Sequence, residues 1–303
     1  NTDGSVASTL TQASITSDAG EFTFDIDDSE SNVIIETTGQ YFSEVRGDIE
    51  DDITLSSIVE INGNNELHNT NLLTTLTSLR IQALMNDGMA IQTAISTAES
   101  ELLAALSPLL PTLNSPSRFA GSLLISRRQQ NSDLDSNAYL LALSSVFDQL
   151  AQSRALANND SAAANMGLLI ESVANDLAIN GELTNSAVMN ELINAMTELN
   201  PDQVLLNLFL LASELESVAN ASDLSACEVL LGELTCADDS DQNQNITSVI
   251  ANLNKFLDSD RDGTVNSLDT DDDNDGILDI EDTRPYSERS LVPAGSAAVF
   301  ESH

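Results

Sequence analysis

Between Asp258 and Asp282 the chain reads DSDRDGTVNSLDTDDDNDGILDIED, and its carboxylates recur at a spacing that suits the binding of a hard cation. One loop begins Asp258-Ser-Asp260-Arg-Asp262-Gly263 and continues through Thr264, Val265 and Asn266 to Asp269. A second begins Asp271-Asp-Asp273-Asn-Asp275-Gly276 and continues through Ile277, Leu278 and Asp279 to Asp282. Asp262-Gly263 thus returns as Asp275-Gly276, a period of 13 (275 − 262). Calcium takes roughly six to eight oxygen ligands. Carboxylates at the first, third and fifth positions converge on one ion if the chain then turns sharply. The glycine that follows permits that turn because it lacks a Cβ. The backbone carbonyls of Thr264 and Ile277, and the side chains of Asn266, Asp269, Asp279 and Asp282, complete the expected ligand sets. Val265 and Leu278, apolar in the same place in each loop, are expected to point inward. A solvated acidic run is the plain alternative, but such a run has no reason to repeat Gly and an apolar residue at the same offsets.

This tandem resembles the thrombospondin type-3 repeats, in which Asp-rich loops follow one another without intervening helices. The resemblance covers about 25 residues and implies two or more calcium ions. A pair of EF-hands needs a helix after each loop, and the stretch between Asp262 and Asp275 leaves no room for one. Half an EF-hand stays open at the first loop, because Ile246 to Leu257 shows a helical apolar face that runs into Asp258.

The elements that carry these loops are read from periodicity. Residues 1–66 read as β: Phe22, Phe24 and Ile26 alternate with polar residues, Val33 to Glu36 and Tyr41 to Val45 follow on either side of Gly39, and Ile53 to Ile61 gives a further strand. The run Thr16 to Phe24, with Gly39-Gln-Tyr41 after it, resembles the carboxypeptidase-regulatory or transthyretin-like β-sandwich. Only Asn1 to Ile15 precedes that run, so the sandwich is expected to be incomplete. From Asn69 the pattern turns helical, with Leu72, Leu73 and Leu76, a break at Asp87-Gly88, and a restart through Ile91, Leu102 and Leu106. Pro108, Pro111 and Pro116 mark a connection. Further helices are expected over Asn137 to Ala157, from Ser161 to a stop at Asn180-Gly181, over Asn185 to Leu199, and after the start signal Asn200-Pro201-Asp202-Gln203. Short connections imply an antiparallel bundle.

Composition narrows the function classes. The chain of 303 residues carries 49 acids and 10 bases, for a net charge of −39. Nucleic acid and anionic membrane surfaces are therefore poor partners. The most apolar run, Val204 to Ala212, is far too short to span a bilayer. Cys227 and Cys236 sit close enough in sequence to bridge; two free thiols are the alternative. A bridge and loop calcium sites both suit an oxidising, calcium-rich exterior, and with no signal peptide recognised a processed or truncated chain is expected. Nucleophile elbows, phosphate loops, dinucleotide fingerprints and zinc motifs are missing from the sequence. His68 reads as a surface or capping residue near the sheet-to-helix junction. Aromatic content is 4% with no Trp, which disfavours a sugar-stacking cleft. The five methionines fall on helical faces and read as core.

The expected architecture is multidomain α+β: a small β-sandwich over 1–66, a helical bundle over 67–257, tandem calcium loops over 258–285 and a tail over 286–303. That order is similar to certain bacterial surface proteins and lipoproteins. It implies an exported, non-enzymatic structural protein, with an adhesive module or a non-catalytic fragment of a secreted enzyme as alternatives. The tail contains Leu291-Val-Pro-Ala-Gly-Ser296, similar to a protease-site linker with Ala in place of Arg, and then a possible strand from Ala297 to Ser302. If that strand adds to the sandwich of a second copy, a head-to-tail homo-oligomer or filament results.

Overall fold

The computed structural model describes residues 23, 32–61, 68–110, 119, 134–201, 203, 204, 206–208, 228–230, 233–235, 254–282, 285 and 286. Its first element is an antiparallel hairpin of β1 (Asn32–Ser43) and β2 (Asp48–Glu60). The two strands expected on either side of Gly39 form one, because Gly39 keeps its place in the ladder opposite Ile53. The register shifts between Gln40 and Tyr41, where Asp51 is the extra residue on β2. The turn closes through Gly47, whose φ of +77° suits glycine and whose N–H donates to Ser43 O at 2.8 Å. What is described is this two-stranded sheet. The strand expected around Phe22 to Asp27 lies outside the described residues.

Five helices follow: α1 (Leu72–Asn86), α2 (Ile91–Leu106), α3 (Leu134–Asn158), α4 (Ala162–Asn180) and α5 (Ser186–Glu198). Helical residues then continue at 201, 203, 204 and 206–208. The end signals work through their side chains. Asn71 and Thr74 form a reciprocal capping box at the start of α1, Ser161 accepts from the N–H of Ala164, and Asn200 accepts from that of Gln203. Gly181 ends α4 in the left-handed conformation. α4 packs against α1, α3 and β2, and α5 packs against α3.

One main core gathers Leu73, Leu76, Leu102, Leu106, Tyr139, Phe147, Leu169 and Leu177, with Tyr41, Phe42 and Leu55 of the hairpin against it. Met166 and Met196 are buried there, while Met85, Met89 and Met189 lie partly buried beside core clusters. Ile34 and Ile58 turn the hairpin toward Ile81, Leu84 and Ile91, whereas Val33, Ile35 and Val59 form a small cluster of their own. At Ser56 the free edge of β2 is met by α1: Thr75 Oγ1 accepts the Ser56 N–H at 2.9 Å, and Thr74 Oγ1 donates to its carbonyl at 2.8 Å. Hydroxyls thus occupy the backbone groups that a further strand would use there.

A polar network joins the hairpin turn to the bundle. Asp148 on α3 is fully buried and accepts from Ser43 Oγ at 2.6 Å, with the Val45 N–H and Tyr41 Oη each at 3.3 Å. Glu44, also buried, accepts from Ser144 Oγ at 3.1 Å. Asn207 donates to the carbonyls of Glu44 and Val45.

Two features depart from expectation. A short hairpin, β3 (Glu228–Leu230) with β4 (Glu233–Thr235), interrupts a region expected to be helical throughout. Residues 254–256, expected to lie in a helix that reaches Leu257, form a turn. Phe256 and Leu257 still reach the main core. Among the described residues no helix is long and apolar enough to cross a membrane.

Candidate metal centre

The first Asp loop leaves the bundle at Leu257 and follows the order that its residues dictate. Asp258 Oδ1 accepts the N–H of Arg261 at 2.9 Å, and its Oδ2 accepts that of Gly263 at 3.2 Å. Asp260 accepts from Asp262 N–H, and Asp262 accepts from Thr264 N–H. Each bond turns the chain tightly about its own carboxylates. Arg261 (φ 65°) and Gly263 (φ 96°) are both left-handed, which bends the three aspartates to one side.

The second loop repeats three of these four bonds, and in place of the fourth the Asn274 N–H donates to the Asp271 backbone carbonyl at 3.0 Å. Asp271 accepts from Gly276 N–H at 3.0 Å, Asp273 from Asp275 N–H at 3.1 Å and Asp275 from Ile277 N–H at 2.8 Å. Asn274 (φ 55°) and Gly276 (φ 89°) take the left-handed positions. The 13-residue period of the sequence is therefore a period of backbone conformation as well.

Each loop brings three carboxylates together. One oxygen from each of Asp258, Asp260 and Asp262 lies within 4.8 Å of the others, and Asp271, Asp273 and Asp275 do the same. These two groups can hold a metal ion. Thr264 and Ile277 follow directly, their N–H groups tied to Asp262 and Asp275. The donors are hard oxygens, and Asp271 Oδ1 and Asp273 Oδ2 are buried without a hydrogen-bond partner. Acceptors massed without donors fit a hard cation.

The remaining expected ligands stand outside these two groups. Asn266 is turned toward Ser259: its Oδ1 accepts the Ser259 N–H at 3.0 Å and its Nδ2 donates to Ser259 Oγ at 2.9 Å. Asp269 Oδ1 accepts from the N–H groups of Thr270 and Asp271, capping the turn into the second loop. Asp279 accepts from Asp272 N–H at 2.8 Å. Asp282 is buried next to the second loop, and its charge bears on Asp273. Val265 is buried as expected, but Leu278 is 48% exposed. The difference follows from position: the first loop is drawn against the bundle through Phe256, Leu257 and an Arg261 to Asn194 contact of 2.6 Å, and the second lies one repeat farther along the chain. Asn274 of the second loop donates to Asp260 of the first, so the loops also touch each other.

The electrostatics reflect carboxylates crowded without counter-charge. Burial, then the charges of Asp275, Asp282 and Asp271, pushes Asp273 up to about 6. Burial, then Asp279, Asp269, Asp260 and Asp273, pushes Asp272 up to about 8. Burial, with Asp260 beside it, raises Asp258. Asp272 is the residue that the spacing rule passes over, since the second position of such a loop is usually free. Its signal in the sequence is an acid where the first loop has Ser259. Cys227 and Cys236 lie outside the described residues. His68 is half-buried just before α1.

Compared with known protein families, with curated proteins and with solved structures, the chain matches none.

Proposed function

We propose that this chain is an exported, non-enzymatic, calcium-binding structural protein of the bacterial cell surface or extracellular matrix, with a thrombospondin type-3-like tandem at its C-terminal side. The observation that carries the reading is the two-fold repetition of one loop conformation, each copy converging three carboxylates. Calcium supplies the positive charge that lets these acids stay ionised together. The chain's own residues do the rest. Asp258 and Asp271 lock the glycine turns, and the third and fifth aspartates of each loop bring their carboxylates in beside them. Carboxylates on loops of adjustable geometry suit calcium better than magnesium, which demands a stricter octahedron. A net charge of −39 suits a protein surrounded by abundant cations.

The same reading includes assembly by strand addition, in which the segment Ala297 to Ser302 pairs with the N-terminal sheet of another copy and completes its sandwich. Both that segment and residues 1–22 lie outside the described residues. Calcium titration of metal-stripped protein tests the central claim: two or more ions should bind, with magnesium in large excess competing weakly. A protein that takes up no calcium overturns it. Light scattering with and without Pro293 to His303 tests assembly. Monomers in both cases, at high concentration with calcium, end the strand-addition part alone.

A further inference from the structure

At Ser56 the outward edge of β2 is taken by α1, but earlier in the strand it is open. The N–H and C=O groups along an antiparallel strand face alternately toward the partner strand and away from it. Ser56 turns its pair away from β1, to Thr75 and Thr74. Thr54 and Asp52 precede it at alternate positions, in unbroken register with Thr38 and Gln40, so they turn theirs the same way. The hydroxyl contact of 2.9 Å between Thr38 and Thr54 agrees, since side chains stand closest where no ladder bonds join a pair. Among the described residues no hydrogen bond is made to the Thr54 or Asp52 backbone on that side.

A groove of about 790 Å³ runs beside this edge, between the hairpin, α1 and α4. That lies within the roughly 300–1,000 Å³ usual for a binding cleft. Its apolar part is uncovered: Leu79 of α1 is 37% exposed and Leu168 of α4 is 60% exposed. Next to Leu168, Gly167 leaves open space where a Cβ would stand. Glu36, Asp52 and Glu171 supply the charge, with no base in the lining and no ion pair to any of them among the described residues. Charges on a sheet edge keep like strands off. These acids repel further copies of a chain whose net charge is −39 and attract a segment of opposite sign. We propose that this edge and groove dock an extended basic segment of a partner protein, in which Lys or Arg alternates with apolar residues. Its backbone continues the sheet at Thr54 and Asp52, its apolar side chains cover Leu79 and Leu168, and its bases pair with the three acids. The tail segment Ala297 to Ser302 carries an acid, Glu301, and no base, so this docking is separate from assembly through the tail.

Fluorescence anisotropy of a capped, labelled peptide of alternating Lys and Val tests this on the full chain. The buffer holds calcium and about 0.15 M salt, so that distant charges are screened. Saturable one-to-one binding is expected. Gly167→Phe, which fills the groove, should weaken it about tenfold or more. Thr54→Pro should do the same, because it removes an outward N–H that an edge strand can lose without breaking its own ladder. If Thr54→Pro fails to fold, Gly167→Phe carries the test, since a helix accepts Phe more readily than Gly. A peptide of alternating Lys and Ser, equal in charge, should bind about tenfold more weakly or worse. Equal binding by that peptide, or undiminished binding by the folded variants, means attraction to the net charge alone and overturns the site. Absence of binding overturns it as well. A preference for a peptide of this chain's own Ser296 to His303 also overturns it, and gives the edge to self-assembly.

Discussion

The ring of Phe256 meets that of Tyr139 edge-on, with centroids 5.5 Å apart and planes at 87°. Tyr139 belongs to α3, and Phe256 is two residues before the first ligand aspartate, so the acidic segment is rooted in the helical core. Phe256→Ala should cost about 3–5 kcal/mol in urea denaturation. It should also weaken calcium binding at the first loop more than at the second. Equal loss at both loops would argue against this anchoring.

Metal removal should show the same linkage. In chelator the melting temperature should fall, and protease should cut within 254–282, because nine or more unneutralised carboxylates there repel one another (about 4 kcal/mol per contact pair at 4 Å and an intermediate dielectric). Asp260→Ala and Asp273→Ala should each weaken one ion by roughly tenfold or more. Cleavage that is the same with and without calcium counts against ordered loop sites.

A buried acid sets the pH response of the bundle. Burial, with Asp148 opposite, pushes Glu44 up to about 8 from an ordinary value of 4.5. The folded protein then holds a proton between those values that the unfolded chain has released, so stability falls as pH rises through that window and levels off above about 8. Asp148 on α3 is the charge that bears on Glu44, Tyr41 on β1 lies within reach of Asp148, Glu50 and Glu44, and Arg46 at the turn pairs with Glu50 on β2. Glu44→Gln should flatten the slope and stabilise the protein at pH 8 by roughly 2–4 kcal/mol relative to wild type. Urea denaturation in saturating calcium, at pH 5 and pH 8, measures it. A parallel slope in the variant would assign the effect elsewhere.

The β3–β4 register pairs Glu228 with Thr235. Cys227 and Cys236, the two cysteines of the chain, lie outside the described residues and are nine positions apart in sequence (236 − 227). We predict a bridge between them, worth about 2–3 kcal/mol in the chain-entropy model. Under denaturing, non-reducing conditions a thiol reagent should label neither. Labelling of both means free thiols and weakens the case for an exported protein.

The elements with strong local signals were legible in the sequence. Ser161, Gly181 and Asn200 sit where helix ends were expected, since capping is decided within a few residues. The two Asp groups were legible for the same reason. Less local features were not. Glu44 and Asp148 come together from distant parts of the chain, and nothing in either neighbourhood marks them as a buried pair. Gly39 looked like a strand break, and its pairing with Ile53 depends on a partner strand. Asn266 was expected to face an ion. Its commitment to Ser259 shows only when the backbone of both repeats is laid side by side.

The uniform 13-residue conformation of the loops has a consequence for how such a chain can change length. Phe256, Leu257 and Arg261, which fasten the acidic segment to the bundle, all belong to or precede the first unit. A duplicated unit inserted after Asp269 would meet the same backbone on both sides and need no new contact with the helices. Repeat number can therefore drift by whole units, each bringing its own ion site, while the helical part stays as it is. Insertions of any other length would break the left-handed positions out of phase and should be selected against.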